Sequence, residues 1–264
     1  MRLLGFALFG VLGLGAELTP SMVLRQLREG AIIRGPVSSH QIALVFTGHE
    51  FAEGGPAILD ELAKHKGKGS FFVTGDFLAN TNFAALVRRI MKEGHYLGPH
   101  SDKHLLYCPW EGVKKTLVTH YQFRADLENN LKQIEGFGVR RGEIRYFLPP
   151  FEHYNEEIAG WSKEMGLTLV NYTPGTRSNA DYSGEGEENF VPSKVIFDSI
   201  VGKDRQDEIG LNGFLLLLHI GTGPGRADKF DARFGELLDY LEGKGYGFVR
   251  VDELLEKGVE ASKR

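Results

Sequence analysis

The sequence predicts an α/β protein built as a closed or nearly closed β/α barrel, and three observations predict it. Strand-like apolar runs alternate with amphipathic helical stretches over most of the chain. About seven such strand and helix units follow one another. The run Gly213 to His219 (GFLLLLH) is continuously apolar until its last residue, as expected of a barrel strand buried on both faces.

The elements follow in order. Ile42 to Phe46 reads as a first strand and Pro56 to Lys64 as the helix behind it, with proline in the tolerated first turn. Ser70 to Thr74 is a second strand, and Asn82 to Lys92 places apolar residues at helical spacing. Tyr96-Leu97-Gly98 is a short third strand. Phe123 to Ile134 is a long helix before strand four, Ile144 to Leu148. Glu156 to Met165 is helical and Thr168 to Tyr172 is strand five. After the apolar run ending at His219 come the helix Asp231 to Glu242 and the strand Tyr246 to Val251. Ser178 to Lys194, rich in Gly, Ser, Asn and Glu, reads as a long surface loop.

Composition narrows the function. With 264 residues, 42% hydrophobic and 25% charged, the chain suits one domain with a sizeable core. The 31 Lys and Arg against 35 Asp and Glu form no basic stripe, so nucleic acid is not an expected partner. Cys108 is the single cysteine, which excludes an intrachain disulfide and any multi-thiolate metal site; a small buried apolar role suits it. Met1-Arg2, the apolar run Leu3 to Leu14 and the small-residue exit Gly15-Ala16 form a secretory signal peptide over residues 1–16. A single catalytic domain, 17–264, is then expected outside the cytoplasm, secreted or periplasmic, with no membrane span in its mature form.

In a β/α barrel the chemistry sits at the C-terminal ends of the strands. That rule singles out Thr47 to Glu50, Gly75-Asp76, His100 to His104, Pro149 to His153, Thr173 to Asp181 and His219 to Gly221. His100 and His104 are four apart, so on one helical turn both imidazoles would leave the same face and could hold one divalent ion. His219 closes the most apolar strand, where an imidazole needs a polar partner or a role. Gly221-Thr222-Gly223-Pro224-Gly225 lacks the lysine of a phosphate loop. His95 reads as structural, and Tyr107 and Trp110 as sugar-stacking aromatics or as core. Glu152-His153-Tyr154 reads as substrate contact or as loop architecture.

Taken together, these segments resemble the polysaccharide deacetylase family, carbohydrate esterase family 4, over roughly Gln41 to Leu255. Gly69 to Gly75 (GSFFVTG) is similar to the family's second strand, and His100-Ser101-Asp102-Lys103-His104 carries its His-Ser-x-x-His metal motif. Phe147-Leu148-Pro149-Pro150-Phe151 resembles the Arg-Pro-Pro-aromatic motif, Leu217-Leu218-His219 the Leu-x-His motif, and Gly245 to Val249 the closing strand. The resemblance implies a distorted (β/α)7-type barrel and metal-assisted removal of acetyl groups from an N- or O-acetylated polysaccharide. It also implies His219 as general acid, Leu217 as a wall of the acetyl pocket, and a Phe151 backbone N–H for the oxyanion.

The chain departs from that pattern at one end of the site. Where the family has Thr-Phe-Asp-Asp-Gly, this chain has Val45-Phe46-Thr47-Gly48-His49, so both the base and one metal-binding carboxylate are missing. The third-motif arginine is replaced by Leu148, consistent with the lost carboxylate, because an unpaired buried arginine would be costly. His49 is the expected third metal ligand beside His100 and His104, with Glu50 as general base; Glu50 as a ligand is the variant of that reading. Asp181 is expected to orient His219, and Arg177 to replace the lost arginine or bind substrate. The expected cofactor is zinc, with cobalt or nickel accepted by the same ligand type. The rival readings are a non-catalytic carbohydrate-binding protein on the same fold and a hydrolase of another C–N or ester bond.

Overall fold

The structure is a computed structural model that describes residues 25–261, without the side chains of 257–261. The signal-peptide segment 1–16 lies outside the described residues.

Strand β3 (Gln41–Gly48) is the centre of the protein, buried along nearly its whole length. Such a strand has to be apolar on both faces, and Ile42 to Phe46 supplies that. It pairs in parallel with β4 (Gly69–Val73) on one side and β8 (Leu215–His219) on the other, in the order β5–β4–β3–β8, with β5 being Tyr96–Pro99. The short β9 (Gly247–Phe248) pairs with the start of β3. A second parallel pair, β6 (Tyr146–Phe147) with β7 (Thr168–Leu169), completes the other wall.

The two sheets do not merge into one continuous ladder. Leu148 N–H donates to the Pro99 carbonyl at 3.3 Å, and single bridges join Val170 to Ile32 and Arg34 to Phe214. Ile32 and Arg34 belong to β2 (Ala31–Arg34), which forms an antiparallel hairpin with β1 (Gln26–Arg28). This hairpin is absent from the sequence reading. Its second strand fills the gap between β7 and β8, so the barrel is distorted and its wall is spanned by isolated bonds.

The helices cover the outside. They are α1 (Gly55–Lys64), α2 (Gly75–Ala79), α3 (Ala84–Lys92), α4 (His120–Gly136), α5 (Glu156–Glu164), α6 (Ser193–Gln206), α7 (Asp231–Gly243) and α8 (Val251–Ala261). Helix α4 opens on a capping box: Gln122 N–H donates to Thr119 Oγ1, and Gln122 Oε1 accepts from Thr119 N–H. Alternation along β3 divides the core in two. Phe46 faces outward, stacked on Phe71 at 4.9 Å and edge-on to Phe234 of α7 at 5.6 Å. Val45 faces the barrel interior with Phe72, Leu148, Leu215 and Leu217, and Val251, Leu254 and Leu255 of α8 pack into the same cluster.

The last strand is shorter than expected. Tyr246 to Val251 contains only Gly247–Phe248 as strand, because Val251 already starts α8 and its N–H donates to Ser70 Oγ at 2.8 Å. The segment 178–194 is also not a loose surface loop. Asp181, Ser183, Val191 and Ser193 are buried in it, and α6 begins at Ser193.

Candidate active site

The strand ends open into a cavity of about 630 Å³. His49 and Glu50 reach it from the end of β3, His100 and His104 from β5, and Phe151 and Glu152 from β6. His219 is the last residue of β8. Its position follows from strand parity: Thr47 and His219 stand opposite each other in register, two residues beyond Val45 and Leu217 on the interior face.

His219 is firmly held. Its Nδ1 lies 2.6 Å from Asp181 Oδ1, and its backbone N–H donates to Asp181 Oδ2 at 2.9 Å. A carboxylate acceptor fixes the proton on Nδ1 of the neutral ring. Burial alone would lower the pKa of His219, but the adjacent Asp181, aided by Glu152, outweighs it and raises it above the ordinary imidazole value. The expected pairing of Asp181 with His219 is thus present as direct contact.

His100 is held differently. Nδ1–H donates to the Leu148 carbonyl at 2.8 Å, leaving the lone pair on Nε2. Its backbone N–H donates to Asn130 Oδ1 of α4 at 2.9 Å. Burial lowers its pKa to about 3, and burial with the neighbouring His100 and His49 lowers that of His104 to about 2. Both rings are neutral at pH 7.

His100 to His104 does not form the helical turn expected from the spacing. Ser101 and His104 have left-handed backbones, with φ of 74° and 53°. Asp126 of α4 imposes this course by accepting from Ser101 Oγ at 2.6 Å, Asp102 N–H at 2.9 Å and Lys103 N–H at 3.0 Å. The two imidazoles still meet, 5.1 Å apart between centroids, but through a loop bent around a distant carboxylate.

The third corner differs more. The His49 ring stacks on His104 at 4.6 Å with 14° between planes, and its Nδ1 lies 3.1 Å from Thr74 Oγ1. Imidazole lone pairs lie in the ring plane, so two nearly parallel, stacked rings cannot aim at one ion. Among the described residues, no group of three or more His, Cys, Asp or Glu is arranged to hold a metal. His100 and His104 therefore fit a divalent cation by donor chemistry, and His49 as placed does not complete the set. Glu50 stands exposed at the rim. Thr47, at the place of the lost carboxylate base, carries a hydroxyl that is buried and unpartnered.

Two expected substrate contacts lie off the cavity. Arg177 is exposed and does not line the cavity; its backbone N–H donates to Ser199 Oγ of α6 at 2.9 Å. Leu217 is fully buried below His219 in the interior cluster and does not reach the cavity. Trp110 does reach it: 61% exposed, it stacks on His153 at 5.0 Å and meets Phe151 edge-on at 5.4 Å. Tyr107 and Cys108 are core, and His95 is structural, accepting from Gly69 N–H at 3.1 Å.

Glu152 is the functional candidate with the weakest sequence signal. It lines the cavity with a left-handed backbone at φ 53°, directly after Phe151 at φ 57°. Only its place one residue after the Pro-Pro-aromatic turn marked it.

The family model described as polysaccharide deacetylase matches residues 34–170. A peptidoglycan-N-acetylglucosamine deacetylase of Bacillus cereus is 24% identical over 229 residues, covering 86% of this chain and 72% of the relative. Among solved structures, PdaA of Bacillus subtilis, a family 4 carbohydrate esterase, superposes with a TM-score of 0.67 at 23% identity, covering 87% of this chain and 86% of that one. A CE4 family pseudoenzyme from Bacillus anthracis does so equally, with a TM-score of 0.67 at 18% identity over 87% of this chain and 70% of that one. The fold is thus shared by active and inactive proteins, and the matched span, which carries the β3, β5 and Pro-Pro motifs, shows that this chain belongs to the polysaccharide deacetylase family.

Proposed function

We propose that the chain is a hydrolase that removes acetyl groups from an N- or O-acetylated polysaccharide, with His219 as the general acid. The observation that carries this reading is the His219–Asp181 pair at 2.6 and 2.9 Å, facing an open cavity at the strand ends. An imidazolium favoured by a buried carboxylate can protonate a departing amine or alkoxide from Nε2. Phe151 lines the cavity and its backbone N–H would serve as oxyanion donor, and Trp110 at the mouth offers a face for a sugar ring. Two carboxylates line the cavity, Glu50 at its exposed rim and Glu152 beside the His219 side, and either chemistry suits the base.

His100 and His104 would hold a divalent cation, zinc, cobalt or nickel by ligand type; when bound it supplies Lewis acidity to the acetyl carbonyl. The test is acetate release from a panel of acetylated glycans, with and without chelator. His100→Ala should lower the affinity for added zinc at least tenfold in direct titration and reduce acetate release in parallel. Activity indifferent to chelator and to His100→Ala would remove the metal from the reading.

The stacked His49 and His104 rings favour a second reading, a glycan-binding protein without catalysis. Retention on immobilised acetylated glycan with no acetate release under any metal would select it. The apolar run Leu3 to Leu14 supports an extracytoplasmic place of action. N-terminal sequencing of the mature protein should begin near Glu17, and an intact Met1 in the exported fraction would contradict cleavage.

A further inference from the structure

We infer that Glu152 is the proton acceptor of this site, a carboxylate supplied from the Pro-Pro turn after β6 in place of the one missing after β3; this rests on the deacetylase reading above. Three observations place it there. Thr47 and Gly48 offer no carboxylate at the end of β3, and a threonine hydroxyl does not accept a proton at neutral pH. Glu152 lines the same cavity as His219, is half-buried, and its carboxylate makes no hydrogen bond or ion pair among the described residues. Cavity water reaches this carboxylate and no protein donor competes for its lone pairs.

The backbone supplies the third observation. Phe151 and Glu152 are consecutive non-glycine residues in the left-handed region, at φ 57° and 53°. Such a conformation is unfavourable for any residue with a Cβ, and strain of this kind concentrates at functional sites. Neighbours hold it in place. Asn171 Nδ2 donates to the Glu152 carbonyl at 2.7 Å, Glu152 N–H donates to the Pro149 carbonyl at 3.0 Å, and His153 Nε2–H donates to the Pro109 carbonyl at 2.9 Å.

The groups facing the carboxylate are consistent with the role. Burial pushes Glu152 up to about 7, with His219 pulling it down and Asp181 pushing it up; Tyr172 and His153 line the same cavity, and Arg28, Glu29, Lys114 and Tyr154 line a smaller one on the other side of Glu152. A base is most useful when its pKa lies near the working pH. In the step assigned to it, the Glu152 carboxylate takes a proton from water as the water oxygen bonds to the acetyl carbon. His219 then gives its Nε2 proton to the departing nitrogen or oxygen as that bond to the acetyl carbon breaks. Acetic acid leaves and gives its carboxyl proton to solvent water, and the Glu152 proton passes through solvent water to His219, restoring the starting pair.

The test compares wild type, Glu152→Gln and Glu152→Gly on a glycan that the wild type deacetylates. Glu152→Gln should lower kcat about a hundredfold with KM within threefold. The wild-type kcat/KM should rise with pH through about 7, since the base must be deprotonated, and that limb should be lost in the variant. Glu152→Gly relieves the left-handed strain and should match or exceed the wild-type Tm while showing the same kinetic loss, separating chemistry from folding. NMR titration of His219 gives a readout without substrate: its pKa should fall in Glu152→Gln, because a neighbouring negative charge is removed. Wild-type activity with Glu152→Gln within threefold of it, or with the loss found in Glu50→Gln instead, overturns the assignment and leaves the deacetylase reading standing. A wild type that releases no acetate overturns that reading, and the assignment with it.

Discussion

Asp181→Asn should lower kcat for acetate release by about 10³–10⁴-fold while leaving the fold intact. Asp181 uses both oxygens on His219, one on Nδ1–H at 2.6 Å and one on the backbone N–H at 2.9 Å. An asparagine amide has one acceptor oxygen. If that oxygen keeps the backbone N–H, its NH2 group faces Nδ1 and drives the imidazole proton to Nε2. If it keeps Nδ1–H, the NH2 group meets the backbone donor head-on in a buried place. Either way the negative charge that does most to raise the His219 pKa is gone, and burial, which lowers it, is opposed only by Glu152. The sign follows: an acid must be protonated, so the falling limb of the pH–kcat profile should move to lower pH in the variant. His219→Gln should lose a similar factor, and Asp181→Asn with His219→Gln should cost little more than either alone, because the two act as one unit. An Asp181→Asn enzyme within tenfold of wild type, with an unmoved falling limb, would show that Asp181 merely fills space.

What the sequence disclosed and what it withheld separate along physical lines. His219 and Asp181 were legible because a polar residue ending a fully apolar strand needs a partner, and strand alternation then fixes which way it points. His100 was legible for the same positional reason, at a strand end of a β/α barrel. The conformation between His100 and His104 was not. A spacing of four suits a helix, yet the loop follows Asp126 on α4, and a bond formed across that sequence distance leaves no local periodicity to read. The same holds for His49, whose distance along the chain from His104 says nothing of ring orientation; their parallel stack only emerges from packing. Leu217 and Arg177 went astray in opposite directions. Leu217 shares His219's face but lies one layer deeper, and Arg177 sits in an irregular segment where no period fixes orientation. Glu152 had only its place after the Pro-Pro-aromatic turn as a signal, because its left-handed backbone, the feature that sets it in the cavity, is unusual for glutamate.

Arg226→Met should destabilise the protein by about 3–5 kcal/mol and take activity down with it, although residue 226 makes no contact with the cavity. Arg226 is fully buried, a position where a guanidinium survives only if its donors are matched. They are: Nε donates to the Asp228 carbonyl at 2.7 Å, one terminal nitrogen to the Ser183 carbonyl at 2.8 Å, and the other to the Val191 carbonyl at 2.7 Å and Ser193 Oγ at 3.2 Å. The Phe190 ring lies against its face at 4.8 Å. These bonds staple the Gly- and Glu-rich stretch between Asp181 and α6 to the segment leading into α7. This is why a composition typical of a mobile loop is packed here. Methionine fills much of the volume but strands the Ser183 and Val191 carbonyls, since the Asp228 carbonyl keeps the Ser193 hydroxyl, and lysine, a point donor on a flexible stem, cannot reproduce the fork. Ser183 is two residues from Asp181, so loosening it should also loosen the carboxylate that orients His219. Urea unfolding should show the lower midpoint for both Arg226→Met and Arg226→Lys. In the fraction that remains folded, kcat should fall more than KM rises, and in Arg226→Lys, which keeps the positive charge that itself lowers the His219 pKa, that pKa should drop towards the value in Asp181→Asn. A change in stability below about 1 kcal/mol, or an unaltered His219 titration in a destabilised variant, would uncouple the staple from the catalytic pair.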